Sequence, residues 1–308
     1  MKRLIIDTDP GVDDAHAILL ALEHPDVQVE AITTVNGNVG LDLTTANALK
    51  ILDAAGKDVP VYRGCDRPLI SRPTTAAHVH GEDGLGDCDL SASKKQVQSE
   101  HAVHALVRLA NENPGELTLV AIGPLTNLAV ALSLDSDLPK KFKQLVIMGG
   151  AIYSRGNTET VTAEFNIHTD PEAAHMVFSA WPMLTLLSWE TTVAYIIPRD
   201  ALDRFFKLET PRAKFFHDTN QKILGFINQR LGQDMLFAPD GLAMAAAIEP
   251  DIVTKAEKRF VSIELHGANT RGQTVVDWNG STRKAPNTDI ILELNMDRFL
   301  QLMENGLR

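Results

Sequence analysis

Cysteine is scarce in this chain. Only Cys65 and Cys88 occur among the 308 residues. Two cysteines are too few for the disulfide framework of a small secreted protein, and their surroundings lack the paired spacing of a zinc site. The absence of cross-links predicts a fold that depends on its hydrophobic core, and the reducing cytoplasm is the predicted compartment.

The chain also lacks an excess of basic residues. It carries 29 Lys and Arg against 40 Asp and Glu, which gives a net charge of −11 at pH 7. Proteins that bind nucleic acid normally present a basic face, so a nucleic-acid partner is not expected. The acidic residues are not collected into a tail, and we therefore attribute the charge to solubility and to a carboxylate-rich site.

Long apolar runs are missing as well. Before the first acidic residue the chain has only the three apolar residues at 4–6, which is neither a signal peptide nor a membrane span. No internal repeat, low-complexity segment or linker interrupts the sequence. A chain of this length can bury a large core, and we predict one domain over residues 1–308 with no membrane partner.

What the sequence does contain is an alternation of short apolar runs and amphipathic patterns. Such alternation indicates βαβ units, and it predicts an α/β fold with an open, mostly parallel sheet and helices on both faces. The predicted strands are 3–9, 27–35, 59–63, 117–122, 144–149 and 184–189. The predicted helices between them are 15–23, 43–54, 101–111, 125–134 and 171–179.

The C-terminal third has a different order of patterns. Residues 199–230 predict one or two helices, and Asp240 opens a further apolar helix. Three β-like runs follow, and a last helix is predicted at 296–306. The three runs are 260–265, 274–278 and 290–294.

Four carboxylates fall within eight residues near the amino terminus: Asp7, Asp9, Asp13 and Asp14. Two unit charges about 4 Å apart repel by roughly 4 kcal/mol at an effective dielectric constant near 20. A helix cap accounts for one aspartate and leaves the others unexplained. A hard divalent cation such as Ca²⁺ or Mg²⁺ would relieve the repulsion, because these ions prefer oxygen ligands.

Two known carboxylate motifs resemble this cluster only in part. An EF-hand loop counted from Asp7 would need glycine at its sixth place and an acid at its twelfth, where the chain has Val12 and Ile18. A haloacid-dehalogenase-like phosphatase would match Asp7 and Asp9. However, Gly11 stands at that motif's fourth place, and no convincing later lysine or paired-aspartate motif follows.

A longer resemblance covers most of the chain. The segment 6–15, Ile-Asp-Thr-Asp-Pro-Gly-Val-Asp-Asp-Ala, resembles the signature of the inosine–uridine-preferring nucleoside hydrolase family. Five further blocks resemble the family's motifs in the same order, and the last of them is followed by a related segment at 170–174. These blocks are 33–38, 80–86, 123–127, 147–150 and 163–167.

The resemblance implies a nucleoside hydrolase fold that cleaves the N-glycosidic bond of ribonucleosides with a bound Ca²⁺. It implies that Asp9, Asp14 and Asp240 ligate the calcium together with the backbone carbonyl of Ile122. Asp9 would also contact the metal-bound water and act as the general base. Asp7 is expected to support the loop from its strand. Relatives are homodimers or homotetramers, and a role in nucleoside salvage follows from the activity.

The resemblance further implies a ribose subsite. Its residues are Asp13, Asn38, Met148, Asn157, Glu164 and Asn166. Asp13 and Asn166 would bind the ribose hydroxyls, and Asn157 and Glu164 would lie around the 5′-hydroxyl. These residue types suit the chemistry, because N-glycosidic cleavage passes through an oxocarbenium-like sugar that carboxylates and amide oxygens stabilise.

The base side departs from the family pattern. Many members have a histidine before the aspartate of the late motif, where it protonates the leaving base, but this chain has Pro239. His80 is implied to border the base pocket, and Arg230 or His217 could contribute from the helical region. The substrate could thus be a common ribonucleoside, a modified nucleoside or another N-riboside. A non-catalytic nucleoside-binding relative is the alternative outside the enzymes.

Two tryptophans near the predicted strand at 184–189 also require an interpretation. Trp181 follows a predicted helix, and Trp189 closes the strand. We expect both side chains to pack in the interior rather than to contact the base. The sequence leaves the preference between purine and pyrimidine bases open.

Overall fold

The computed structural model describes residues 1–308 and contains twelve strands and thirteen α-helices. The strands are β1 (Lys2–Thr8), β2 (Val27–Thr34), β3 (Val61–Arg63), β4 (Leu117–Ala121), β5 (Gln144–Met148), β6 (Leu184–Leu187), β7 (Ile197–Pro198), β8 (Met235–Leu236), β9 (Val253–Arg259), β10 (Val261–Ile263), β11 (Thr274–Val276) and β12 (Thr288–Leu294). The helices are α1 (Val12–Glu23), α2 (Leu41–Ala55), α3 (Ala77–His80), α4 (Ala102–Glu112), α5 (Thr126–Leu134), α6 (Leu138–Lys141), α7 (Phe165–Thr169), α8 (Pro171–Ala180), α9 (Trp189–Ala194), α10 (Arg199–Phe206), α11 (Pro211–Leu231), α12 (Pro239–Ile248) and α13 (Met296–Leu307).

Eight strands form the central sheet in the order β3-β2-β1-β4-β5-β6-β12-β9. All neighbouring pairs are parallel except β12 and β9, which run antiparallel. The predicted mostly parallel sheet is therefore confirmed. The edge strand β9 was not predicted, because its sequence VTKAEKR is largely polar and exposed and contains no apolar run.

Both faces of the sheet are buried under helices, as predicted. Along β1, Leu4 and Ile6 belong to one hydrophobic cluster of 47 buried residues, whereas Ile5 between them belongs to a second cluster of 32. This alternation follows from the strand period of two. Helices α1, α11, α12 and α13 contribute to the first cluster, and α4, α5 and α8 contribute to the second.

The chain order places a switch point beside β1. From β1 the chain moves outward on one side to β2 and β3, and it then returns to β4 on the other side. The register sets Asp7 opposite Ala121 and Ala121 opposite Ile147, so the carboxyl ends of β1, β4 and β5 lie together. Ligands bind at such a position in open α/β sheets.

The C-terminal patterns are confirmed with adjusted boundaries. The helical region 199–230 forms α10 and α11, and the last helix is α13. The apolar run at 184–189 is shorter than predicted, because Ser188 accepts a hydrogen bond from the Thr191 N–H (3.3 Å) and starts α9. Strands β10 and β11 form a separate antiparallel hairpin.

None of the helices combines the length and apolar composition that a membrane span needs.

Candidate active site

A cavity of about 510 Å³ opens at the carboxyl ends of β1, β4 and β5. Ten of the residues predicted for the site line it: Asp13, Asn38, His80, Ile122, Met148, Asn157, Glu164, Asn166, Arg230 and Asp240. Asp9 and Asp14 do not line the cavity, because both side chains are fully buried. The structure thus brings the predicted residues into one region, with two carboxylates set below the cavity surface.

Asp9 lies in a tightly enclosed position after β1. Its Oδ2 accepts a hydrogen bond from the Asn38 backbone N–H (2.7 Å), whereas its buried Oδ1 has no partner. A Cβ at Gly37 would come within 1.9 Å of Oδ2, and one at Gly123 within 2.6 Å of Oδ1. Glycine at both positions is therefore required for the close approach of two loops to this carboxylate.

Asp14 has a full set of hydrogen bonds at the start of α1. It accepts from the Thr8 hydroxyl, from the Gly11 N–H (2.9 Å) and from the Asn38 amide (3.0 Å). The same Asn38 amide donates to the Asp9 carbonyl (3.2 Å). Asn38, which was predicted as part of the ribose subsite, borders the cavity and also ties the two buried aspartates together.

Asp7 was expected to support the loop, but its side chain contacts β2 and α5 instead of the turn at 9–14. Its Oδ1 accepts from the Thr33 hydroxyl (2.5 Å) and from the Asn127 amide (2.8 Å). Burial raises the pKa of the Asp7 carboxyl to about 7, and the two hydrogen bonds act against this rise. Asn127 belongs to the predicted block at 123–127, and it also donates to the Thr34 carbonyl (3.0 Å).

Asp240 completes a cluster of carboxylates. It follows Pro239 in the first turn of α12, and its ligand oxygen lies within 4.8 Å of those of Asp13 and Asp14. Burial, together with the charges of Asp13, Asp14, Asp9 and Glu164, raises its pKa well above the usual range. The three residues whose oxygens lie within this distance include Asp13, which was predicted to bind ribose. They do not include Asp9, which was predicted to bind the metal.

These carboxylates have the properties of a cation site. Burial is the largest cause of the raised pKa of Asp9, and the charge of Asp14 is the next. An oxygen-binding cation would remove both causes, because it would compensate the buried charge and the mutual repulsion. The unpartnered Oδ1 of Asp9 adds a free ligand atom. The residues present therefore fit a hard divalent cation.

Glu164 and Asn166 form the opposite side of the polar cavity. Glu164 caps α7 and accepts from the Asn166 N–H (2.9 Å) and the Gly150 N–H (2.8 Å). Burial raises the pKa of Glu164 to about 7. The Asn166 amide donates to the carbonyls of Ile122 (3.1 Å) and Met148 (3.3 Å), so the ends of β4 and β5 are joined here.

His80 is buried against the start of α1. Its Nδ1 accepts from the Val12 N–H (3.2 Å) and lies 3.6 Å from Asp13 Oδ1. Burial lowers the pKa of His80 to about 4, so the imidazole is neutral at pH 7. Because Nδ1 acts as an acceptor, the hydrogen-bond pattern assigns the ring proton to Nε2.

The remaining wall of the cavity is apolar and was largely missed by sequence reasoning. Helix α11 contributes side chains at helical spacing, and further aromatic residues come from α9 and the segment before α12. These residues are Ile223, Phe226, Ile227, Trp189 and Phe237. The i, i+3, i+4 spacing on α11 could have suggested this wall, although the same pattern also describes an ordinary core-facing helix.

The predicted base-side residues have different positions. Arg230 borders the cavity, with its guanidinium 5.9 Å from the Phe226 ring centre. His217 lies outside the cavity, exposed and paired with Asp218 (3.0 Å). Pro239 lines the cavity wall and supplies no titratable group.

The two tryptophans differ in their surroundings. Trp181 is buried against Phe142, with ring centres 6.3 Å apart, as expected for a packing residue. Trp189 packs against Phe237 at 5.7 Å and also lines the cavity. Trp181 therefore packs in the interior, as expected. Trp189 packs as well, but it also forms part of the cavity wall.

The chain is similar along its whole length to known proteins. A family model described as "Inosine-uridine preferring nucleoside hydrolase" matches residues 4–301. The inosine-uridine preferring nucleoside hydrolase of Crithidia fasciculata is 37% identical over 309 residues, covering 99% of this chain and 97% of that protein. The pyrimidine-specific ribonucleoside hydrolase RihB of Escherichia coli K12 is 33% identical over 307 residues, covering 100% and 97%. A solved inosine-guanosine nucleoside hydrolase superposes with a TM-score of 0.92 at 33% identity, covering 99% and 98%.

Proposed function

Because the chain belongs to the inosine-uridine preferring nucleoside hydrolase family, whose members are N-glycosyl hydrolases, we propose that it hydrolyses ribonucleosides to free base and ribose in a calcium-dependent reaction. Asp9 is the proposed general base. The observation that carries this proposal is the Asp9 carboxylate, which is buried below the cavity surface with one unpartnered oxygen and lies near enough to Asp14 and Asp240 for their charges to interact.

The proposed calcium ligands are Asp9, Asp14, Asp240 and the backbone carbonyl of Ile122. Calcium takes six to eight oxygen ligands in flexible geometry, which suits carboxylates on separate elements. When bound, the ion would lower the pKa of a water molecule and orient it. Asp13 lies within the same group of oxygens and could also contribute to the ion.

Asp9 is suited to accept a proton from water. Its Oδ1 has no hydrogen-bond partner in the protein, so this oxygen is free to accept a proton from a neighbouring water. Gly37 and Gly123 lie so close to the carboxylate that a side chain at either position would collide with one of its oxygens. An enclosed carboxylate with a free acceptor oxygen is suited to general base catalysis.

The sugar would be bound by the polar side of the cavity. Asp13 and Asn166 are proposed for the ribose hydroxyls, with Asn157 and Glu164 at the 5′-hydroxyl and Met148 below the ring. Positive charge develops on the sugar as the N-glycosidic bond breaks. Carboxylates fixed around the ring stabilise that charge without reorganisation during the reaction.

The leaving base would meet the apolar side and His80. Pro239 cannot donate a proton, so the base must be stabilised by another group. His80 carries its proton on Nε2, the nitrogen that is not occupied by the Val12 N–H. A neutral imidazole donates a hydrogen bond through this N–H, and we propose that it does so to the base.

The experiment that tests this function is a kcat/KM panel over inosine, adenosine, guanosine, uridine, cytidine and p-nitrophenyl riboside. Release of base and ribose by the wild type is the expected result. Asp9→Asn should lower kcat by about 10²–10⁴-fold, the range for a lost general base. Binding of ribonucleosides without turnover would instead support the non-catalytic alternative, and turnover of modified nucleosides alone would narrow the substrate class.

We also propose a compartment, an oligomeric state and a metabolic role for the protein. Cys65 and Cys88 are both free, which is compatible with the reducing cytoplasm. A homodimer or homotetramer is proposed from the family resemblance. Nucleoside salvage is the proposed role, since hydrolysis supplies free base and ribose.

A further inference from the structure

Glu190 makes three hydrogen bonds to the backbone of one loop. Its Oε1 accepts from the N–H groups of Tyr153 (2.8 Å) and Arg155 (3.2 Å), and its Oε2 accepts from Ile152 (2.9 Å). The preceding residue, Trp189, donates its backbone N–H to the Gly150 carbonyl (2.9 Å). The start of α9 therefore holds residues 150–155 in place. Glu190 itself does not line the cavity.

The held segment is the beginning of the loop 151–163, which connects β5 to α7. Residues further along this loop, Asn157, Thr158 and Val161, border the cavity. Within the loop the Gly156 N–H donates to the Val161 carbonyl (2.8 Å), and the Asn157 N–H donates to the Ala163 carbonyl (3.1 Å). The cavity-facing part is thus one hydrogen-bonded turn, and its orientation depends on the residues at its two ends.

The backbone of the loop 151–163 is strained. Ser154 has φ 61° and Val161 has φ 56°, and neither is a glycine. A β-branched residue in the left-handed region is unfavourable and persists only when its surroundings fix it. Ser154 lies between two of the amides that Glu190 binds, so the carboxylate holds the backbone on both sides of Ser154. Val161 is outside these contacts and is fixed by the hydrogen bond from Gly156.

The other contacts of the loop's first part are neutral. Thr274 Oγ1 accepts from the Ala151 N–H (3.3 Å), the Gln273 amide donates to Ser154 Oγ (2.6 Å), and the Trp278 indole donates to the Ile152 carbonyl (3.3 Å). Hydrogen bonds to an ionised acceptor are roughly twice as strong as neutral ones. Glu190 is therefore the strongest single anchor of residues 152–155.

We propose that Glu190 is a positioning residue for substrate binding, which fixes the loop 151–163 so that Asn157 faces the ribose. The inference rests on the proposed function, since Asn157 is assigned there to the 5′-hydroxyl. The Glu190 carboxylate holds three backbone amides at the start of the loop. These amides precede the hydrogen-bonded turn that carries Asn157, so they set the orientation of that turn. An anchor of this kind affects binding of the sugar and does not touch the reacting bond.

The test is a double-mutant cycle between Glu190→Gln and Asn157→Ala. Glutamine keeps the size of the side chain but removes the charge and one acceptor oxygen. Alone, Glu190→Gln should raise KM for inosine and uridine about tenfold and change kcat by less than about threefold, as loss of a binding interaction predicts. In a protein that already carries Asn157→Ala, Glu190→Gln should raise KM by less than about twofold. The reason is that Glu190 acts on the substrate through Asn157, so its effect is lost when Asn157 is absent.

The matched control is Asp135→Asn. Asp135 also accepts a loop N–H, that of Asp137 (3.1 Å), but it lies at the end of α5 remote from the cavity. It should leave KM unchanged. Hydrogen exchange of the amides at 152, 153 and 155 should accelerate in Glu190→Gln, with the amides of α12 unchanged, which verifies an intact fold.

Two results would overturn the inference. They are an unchanged KM in Glu190→Gln, and full additivity with Asn157→Ala. An inactive wild type would overturn the proposed function instead. In that case the Kd for inosine is measured for the wild type, both single variants and the double variant. In that measurement the same tenfold effect and non-additivity are expected, so the two failures remain distinguishable.

Discussion

The two sides of the cavity are built in opposite ways. On the sugar side, Asp14, Asn38 and Glu164 are buried, and the side chain of each makes two or three hydrogen bonds. Those of Glu164 all come from backbone N–H groups, whereas Asp14 and Asn38 also bind side chains. On the base side, Trp189 and Phe226 are half-buried and pack through their rings. One side is fixed by a polar network, and the other by apolar contact.

The difference indicates which side can change. A buried polar network tolerates little alteration, since each unsatisfied group costs about 1–3 kcal/mol. Apolar contacts at an open surface can be exchanged with smaller loss. We therefore expect substitutions on the apolar side to be tolerated better than substitutions in the polar network.

The largest effect is expected from a change at the carboxylate cluster. Asp240→Asn removes one charge from the group that it forms with Asp13 and Asp14. Metal analysis of the wild type should find about one Ca²⁺ per chain, and the variant should contain less and lose kcat/KM by about 10³-fold, equivalent to several kcal/mol.

The control for that prediction is Asp251→Asn, which changes an exposed acid beyond the other end of α12. It should retain both calcium and activity. If Asp240→Asn kept its calcium and its rate, the ligand set proposed here would be incorrect. Asp13 would then be the next candidate, and the same measurement on Asp13→Asn would decide.

A smaller effect, on stability, is expected at Glu164. Burial raises its pKa from 4.5 to about 7 in the folded protein. Between these values the folded protein holds a proton that the unfolded chain has released, so the stability contributed by Glu164 falls as pH rises. By pH 8 the unfolding free energy should be lower by about 3 kcal/mol, because a pKa of about 7 in place of 4.5 disfavours the ionised carboxylate in the fold.

Glu164→Gln should remove this loss. Urea unfolding of the metal-free protein at several pH values between 5 and 8 measures it, with Glu112→Gln on the exposed surface of α4 as the matched control. The Glu164→Gln variant should show a flatter fall of unfolding free energy across this window than Glu112→Gln. Equal slopes would mean that Glu164 is ionised in the fold at little cost.

The carboxylate cluster near the amino terminus could be predicted from the sequence for a physical reason, whereas the ribose residues were implied by the family resemblance. The cluster follows β1, and the carboxyl ends of parallel strands meet at one edge of the sheet. The cluster from Asp7 to Asp14 lies within one strand–turn–helix, so its proximity is set by local geometry. Asp14 and Asp240 were predicted as a pair, but the position of Asp13 beside them in place of Asp9 was not foreseen. The direction of the Asp9 side chain depends on contacts with Asn38 and Gly123, which come from distant parts of the chain.

The apolar wall of the cavity and the strand β9 could not be predicted from the sequence. The apolar residues of α11 have the spacing of any helix that faces a core, and nothing local distinguishes a cavity wall from a packed interior. The strand β9 owes its conformation to pairing with β12, since its own sequence is polar. In both cases the deciding contacts come from distant parts of the chain.

The smallest effect is expected at His80, on the border between the two sides. His80→Ala removes the proposed Nε2 donor and should lower kcat/KM for inosine and uridine by about tenfold, the value of roughly one hydrogen bond. The loss with p-nitrophenyl riboside should be smaller, because its leaving group needs no proton. His217→Ala, outside the cavity, is the control and should change neither substrate. Equal losses on all substrates would assign His80 to the sugar side, where its Nδ1 already contacts the turn that carries Asp13.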